Sequence, residues 1–356
     1  MIWSIVLVFA VLLGIAQAKW AGLVLRKLSV EGKADCLLAQ PGEKITWYAT
    51  VNNHSRFPVL FTRLQLQFPG NAAFEENEDW FRRHCRKSIH LWHVEEVLTL
   101  MPLKSCTRKV TLTLPERGIY SLGNYRLSAG DLLGFREEAM NGPGKTVVVM
   151  PREAKNQKQV QAMGGFLGDI SVRRFILEDP VLTIGFRDYT GREPMKAISW
   201  TRSATAGSLQ VKQYDHTAEQ TVTVLLNVED GSPEELEGCF QLMRSVCQQL
   251  ESRKIPYGIR TNGNLPGPVS TLFSLAEGLG SKHLNTILYA LGRADYARYY
   301  SFRYLTEQTL RHHKKNASYI LITPRETPDV RKCLKTLRAA SGNPVYVLTG
   351  EEEVRL

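Results

Sequence analysis

Standard catalytic signatures are missing from this sequence: it has no GxSxG elbow, no P-loop, no HExxH pair and no GxGxxG following a strand. Nothing in the order of its residues therefore nominates a nucleophile with its base. Cysteine is sparse as well, six in 356 residues, with neither a CxxC pair nor regular spacing. That fits buried thiols of a reducing compartment better than a disulfide framework. No internal repeat or low-complexity tract is present. Basic charge is not concentrated either: residues 1–150 carry 18 Lys and Arg against 13 Asp and Glu, and the rest carry 27 against 22. A net charge of +10 spread this evenly favours solubility and mild attraction to anionic surfaces over a nucleic-acid footprint.

Charge is absent altogether from the first eighteen residues, MIWSIVLVFAVLLGIAQA, and after Lys19 the apolar character resumes through Leu25. That length suits a membrane-spanning helix. Ala16-Gln17-Ala18 resembles a signal-peptide cleavage site, but the basic region such a peptide carries at its start is missing, and Lys19, Arg26, Lys27 and Lys33 all follow the run. The expectation is a retained anchor over residues 1–25, with the body in the cytoplasm by the positive-inside rule.

What is present next is alternation. Ile45, Trp47, Ala49 and Val51, then Leu64, Leu66 and Phe68, then Val110, Leu112 and Leu114 recur with period two between turn residues such as Asn52-Asn53 and Pro69-Gly70. This predicts an antiparallel β-sandwich-like domain over residues 26–151. Residues 152–184 read as a polar, glycine-bearing linker. From Thr221 the pattern changes to a continuous apolar strand, Thr221 to Val228, followed by helical spacing at Leu236, Cys239, Phe240, Met243, Val246, Cys247 and Leu250. Cys239 and Cys247 thus read as core residues. Strands alternating with helices over residues 213–356 predict a Rossmann-like α/β domain with a parallel sheet. The fold class expected is accordingly multidomain α+β: an N-terminal transmembrane helix, the β-sandwich-like domain, and the α/β domain.

Between these lies "GFRDYTGREPMKAISWTRSATAG", within residues 185–212. Gly185-Phe186-Arg187-Asp188-Tyr189, Gly191, Pro194, Ile198, Trp200, Ser203-Ala204 and Gly207, with Arg117-Gly118 and Tyr120 and with Asp131-Leu132 and Gly134-Phe135 upstream, resemble the bacterial domain of unknown function 58 family. Leu132 stands where that family usually has proline. The resemblance implies a C-terminal domain similar to von Willebrand factor type A. It also implies association with MoxR-type AAA+ ATPases, in assembling or activating other proteins.

Physically, Pro194 suits a first helical turn, Lys196 and Trp200 stand four apart for a cation–π contact, and Arg187 and Arg202 have Asp188 and Glu193 as partners. A structural clamp of Arg187, Asp188, Tyr189, Pro194, Trp200, Arg202 and Ser203 is expected, with Trp200 buried. Arg192 and Lys196 are left as partner contacts.

Type A domains often hold Mg²⁺ through a D-x-S-x-S motif, but the aligned stretch here is Asn227-Val228-Glu229-Asp230-Gly231. Only a shifted alignment offers Glu229, Asp230 and Ser232 as oxygen ligands, and a polar loop capping the next helix is the simpler reading. His84, Cys85, His90 and His93 match no standard zinc spacing. His312-His313 beside Lys314-Lys315 reads as a solvated helix end. The sequence therefore predicts a non-enzymatic, membrane-anchored adaptor without cofactor or metal, binding protein partners and no nucleic acid. An exported metal-dependent adhesion or envelope protein is the alternative, and a hydrolase of unfamiliar type comes third.

Overall fold

The computed structural model describes residues 24–75, 78–130, 137–154, 163–168, 179–215, 221–267, 273–312, 317–341 and 345–350. The chain divides into two compact units, Met1–Arg152 and Glu153–Leu356. Asp131 to Phe135, quoted above for the family resemblance, lie outside the described residues.

In the first unit the strands are β1 (Leu28–Ala34), β2 (Leu38–Ala39), β3 (Lys44–Asn53), β4 (Val59–Pro69), β5 (Ala73–Phe74), β6 (Cys85–Lys87), β7 (Leu91–Leu100), β8 (Ser105–Thr113), β9 (Gly118–Leu122), β10 (Asn124–Gly130), β11 (Glu137–Gly142) and β12 (Lys145–Val149). A single helix, α1 (Glu78–His84), interrupts them among the described residues. They form sheets of order β1-β3-β8-β5, β11-β10-β4-β7-β6 and β2-β12-β9, antiparallel throughout except where β2 meets β12. Side chains alternate across a pleated strand, so Ile45, Trp47, Ala49 and Val51 of β3 and Leu64, Leu66 and Phe68 of β4 all enter one core. Trp47 sets its tolerance. A Cβ added to Gly32 or Gly123 would meet the indole at 2.3 or 2.2 Å, and Gly123 also needs its positive φ of 69°.

In the second unit a helical turn over residues 163–168, with Met163 and Leu167 buried, precedes β13 (Asp179–Asp188) and β14 (Gln210–Asp215), an antiparallel pair flanking the short helix α2 (Trp200–Ala206). After it come β15 (Thr221–Leu226), α3 (Pro233–Ser252), β16 (Tyr257–Thr261), β17 (Ser274–Gly278), α4 (Ser281–Arg293), α5 (Phe302–Arg311), β18 (Ala317–Thr323), α6 (Pro328–Ser341) and β19 (Val345–Thr349). Their sheet has the order β17-β16-β15-β18-β19. A reciprocal capping box starts α3: the Glu235 N–H donates to Ser232 Oγ at 3.3 Å, and the Ser232 N–H donates to Glu235 Oε2 at 2.8 Å. Cys239, Phe240, Met243, Val246, Cys247 and Leu250 form the buried face of that helix.

Three parts of the expected fold are corrected. The Rossmann-like, type A-like domain with a parallel sheet is not what forms, because β17 runs antiparallel to β16 and the sheet is mixed. Its polar, small residues, Ser-Leu-Ala-Glu-Gly, carry no strand signal. Across the described residues strand outweighs helix, 42% to 29%, and most strand pairings are antiparallel. Among those residues no helix is long and apolar enough to cross a membrane. Residues 1–23 of the expected transmembrane anchor lie outside the described residues, and Val24 and Leu25, expected to complete it, are instead buried in the β-rich core.

Candidate functional site

The signature segment is built on β13 and β14. Their register carries Arg187 opposite Val211 and Asp188 opposite Gln210, and the Tyr189 N–H donates to the Leu209 carbonyl at 2.8 Å. Beyond Tyr189 the chain turns on a carboxylate. Glu193 accepts from Arg187 Nη1 at 2.6 Å, from the Thr190 N–H at 3.0 Å and from the Thr190 hydroxyl at 2.7 Å. The Thr190 hydroxyl foremost, and then Arg187, hold the Glu193 carboxyl down to about 2. Thr190 and Glu193 stand three apart, the spacing of a local Thr-to-Glu capping pair, which is the signal that could have found this turn.

Asp188 is engaged within the segment as well. It accepts from the Gln210 amide and from the Ser208 hydroxyl, the latter at 3.3 Å. Pro194 is extended, with φ −66° and ψ 142°, and precedes a single 3₁₀ turn, Met195–Ala197, rather than opening the expected helix. The helix waits for α2, where Ser203 holds it to β14: its hydroxyl donates to the Ser199 carbonyl and accepts from the Gln210 N–H, both at 2.8 Å. Gly207, at φ 71°, closes α2 in the left-handed conformation.

Trp200 is not buried as expected but 61% exposed, as the first residue of a helix that presents little apolar face. Arg202 lies over the Phe186 ring at 5.2 Å instead of pairing with Asp188 or Glu193. Ile198 and Val211, bridged to one another, carry the segment's buried contact. Met195, Phe186, Arg192 and Lys196 of the same segment are exposed as well. The result is an apolar and cationic surface whose neighbouring carboxylates are already hydrogen-bonded.

A second candidate lies at the C-terminal ends of β15 and β18. The strand β15 neighbours β16 on one side and β18 on the other, so successive connections leave in opposite directions and open a crevice, the usual ligand position in open sheets of this kind. A cleft of about 520 Å³ sits there, lined by residues following β15 and by α5 and α6. Its inner end is closed by a neutral mesh. Asn227, 1% exposed, donates to Thr323 Oγ1 at 3.0 Å and accepts from Asn262 Nδ2 at 2.8 Å and from the Glu229 N–H at 3.1 Å. Asn262 in turn accepts from the Val228 N–H at 3.0 Å. These are amides and hydroxyls satisfying one another, and Asn262 was not singled out by sequence pattern.

Glu229, Asp230 and Ser232 do not converge on a common point. Glu229 pairs with Arg298 and accepts the Phe302 N–H at 2.7 Å, Ser232 caps α3, and Asp230 sits at φ 57° on the cleft rim. Among the described residues no group of three or more His, Cys, Asp or Glu could hold a metal. Cys85 turns into the β-rich core, while His84 stacks on Trp80 at 4.9 Å and bonds its carbonyl at 2.8 Å. His312 bonds the Gln308 carbonyl at 3.0 Å at the end of α5, and His313 lies outside the described residues. Burial pushes the Cys333 thiol in the cleft up, which keeps it protonated at neutral pH.

No family model matches the chain, and no curated protein matches it. The resemblance to the domain of unknown function 58 family, and the MoxR association that came with it, therefore gain nothing from comparison. Among solved structures the chain is similar to the CARDB domain of the PF1109 protein from Pyrococcus furiosus, at 14% identity over 34% of this chain and 91% of that one, with a TM-score of 0.23. It is also similar to the sporulation control protein Spo0M from Bacillus subtilis, at 15% identity over 46% of this chain and 58% of that one, with a TM-score of 0.22. A third is trypsin-activated alpha-2-macroglobulin from Escherichia coli, at 13% identity over 36% of this chain and 7% of that one, with a TM-score of 0.26. At such scores these likenesses bear on neither fold nor function.

Proposed function

We propose that this protein is a non-enzymatic interaction adaptor that presents residues 185–212 to an acidic protein surface. The observation that carries the reading is the exposure of Trp200, Met195, Arg192 and Lys196 within one segment, while Asp188 and Glu193 are engaged inside it. Tryptophan and arginine are the residues that most often dominate protein interfaces, and outward cations without competing carboxylates favour an acidic partner. The resemblance of this segment to a MoxR-associated family supports such an ATPase as the partner, in assembling or activating other proteins. The uncharged run of residues 1–18, followed by Arg26, Lys27 and Lys33, supports a place at the cell membrane with the body on the cytoplasmic side.

Pull-down of the full chain from membranes tests the reading. The paired substitution Arg192→Glu and Lys196→Glu should leave the denaturation midpoint unchanged and strongly reduce recovery of a MoxR-type ATPase. Undiminished recovery would remove these residues from the interface, and failure of the unsubstituted chain to recover such an ATPase would remove that partner.

A further inference from the structure

Seven strand ends meet at one pole of the first unit. The strands β1, β4, β8 and β11 begin there, and β3, β7 and β10 end there. Asn53, 2% exposed, ties the connecting loops together: its amide donates to the carbonyls of Phe57 at 2.9 Å and Met101 at 3.0 Å, and its side-chain carbonyl accepts from the Ser55 N–H at 2.9 Å. On its backbone the Asn53 N–H donates to the Lys104 carbonyl at 3.0 Å, and the His54 N–H donates to the Lys27 carbonyl at 2.9 Å.

This rigid base carries exposed apolar side chains, namely Phe57, Phe61, Met101 and Leu103, each more than half exposed. Leu103 is held at φ 54° while its N–H bonds the Ser55 carbonyl at 3.1 Å. A left-handed leucine is unfavourable without a reason to keep the side chain. Interleaved with these are four exposed cations, Arg26, Lys27, Arg56 and Lys104. The loops that carry them hold no carboxylate, there being none before Glu31, none between Glu43 and Glu75, and none between Glu96 and Glu116, and the carboxylates that register brings to this end are Glu137 and Glu138 at the start of β11, beyond β10.

We propose that this pole docks on an anionic lipid surface, with the four apolar side chains entering the headgroup region and the cations facing lipid phosphates. Apolar burial combined with attraction to anionic lipids is how peripheral surfaces hold to a bilayer, and loops in which cations outnumber carboxylates favour a negatively charged leaflet. The chain itself indicates the same phase. Residues 1–23, whose only charge is Lys19, join the folded unit at this pole through Val24 and Leu25. The proposal rests on the membrane placement proposed above, and is separate from the docking of residues 185–212, which lie in the other unit.

The test uses the full chain with one added thiol, Met101→Cys at the pole or Ile89→Cys. Ile89 is exposed and precedes the far end of the ten-residue strand β7, about 30 Å from the pole. Labelling by a membrane-impermeant maleimide is followed at each site by peptide mass, in detergent, in phosphatidylcholine vesicles, and in vesicles that also contain phosphatidylglycerol. The anionic vesicles should slow labelling at position 101 by about tenfold or more relative to the other two conditions, and leave position 89 unchanged. Arg56→Glu with Lys104→Glu should abolish that protection without moving the denaturation midpoint. Three results would overturn the proposal. They are equal labelling in all conditions, protection already present in detergent because the chain or a second copy covers the pole, and protection that survives the double charge reversal.

Discussion

The Arg187 guanidinium donates to Glu193 across 2.6 Å, and the same carboxylate accepts both the N–H and the hydroxyl of Thr190. Three donors on one carboxylate, the Thr190 hydroxyl foremost, lower its pKa against the opposing effect of burial. Because Glu193 is held at about 2, below the ordinary value of 4.5, its contribution to local order is complete above that ordinary value and is lost as the pH falls through the lower one. The Thr190 amide should accordingly keep its exchange protection and chemical shift from neutral pH down to about 3, and lose both near pH 2. Glu193→Gln should remove that acid transition and speed Thr190 exchange severalfold at neutral pH. Amide exchange with NMR read-out checks it. A transition unchanged by the substitution would assign the titration to another group.

Trp200 leads to a second prediction, opposite to the one its sequence context suggests. A buried tryptophan truncated to alanine costs about 3–5 kcal/mol, whereas ordinary surface positions lie within about 0.5 kcal/mol. At 61% exposure Trp200→Ala should fall with the surface positions in urea denaturation. If the indole is an interface anchor, the same variant should lose about tenfold or more in partner affinity. Ile198→Ala supplies the contrast. That side chain is 5% exposed, so its loss should cost about 2–5 kcal/mol and be visible in stability before binding is measured.

These outcomes mark what the sequence could and could not reveal. Alternation in β3 was legible because one face is apolar from Ile45 to Val51, and the buried stripe of α3 was legible because its spacing is helical over twenty residues. The strand β17 was not legible, because an edge strand of small and polar residues is placed by backbone pairing with β16 and not by its own pattern. Val24 and Leu25 misled for the opposite reason: hydrophobicity is equally suited to lipid and to a protein core, and only the packing against the β-rich unit separates them. In residues 185–212 the charged and aromatic types were evident, but their pairing was not. Arg202 could reach two carboxylates in sequence and instead lies over Phe186, because both carboxylates are already occupied by local donors.

Gly123 offers a test of the β-rich core through a single methyl group. Its Cβ would come within 2.2 Å of Trp47, and its φ of 69° disfavours any L side chain. Gly42 has a comparable φ of 82° with open space around the same position. Gly42→Ala therefore isolates the backbone cost, about 1–2 kcal/mol, while Gly123→Ala adds overpacking of about 1–3 kcal/mol. Chemical denaturation should rank them in that order. Equal destabilisation would mean that the indole shifts aside without cost.

The last prediction concerns the mesh at the ends of β15 and β18. Asn227 joins Asn262, Thr323 and the Glu229 N–H in a space that water does not reach, so Asn227→Ala leaves several polar groups without their partner at once. Each such group costs about 1–3 kcal/mol when it cannot be resolvated. A loss of about 3 kcal/mol is expected, larger than for Asp230→Ala on the exposed rim, where the change should stay within about 0.5 kcal/mol. The same pair of variants addresses metal. Neutral amides and hydroxyls that satisfy one another offer a hard cation no charge, so Mg²⁺ should leave the melting temperature of the unsubstituted protein where it was. A rise in melting temperature with Mg²⁺ that vanished in Asp230→Ala would show that the rim carboxylates bind the ion. A rise that vanished only in Asn227→Ala would place the ion in the mesh itself, and the account of the mesh as a closed hydrogen-bonded set would then fail.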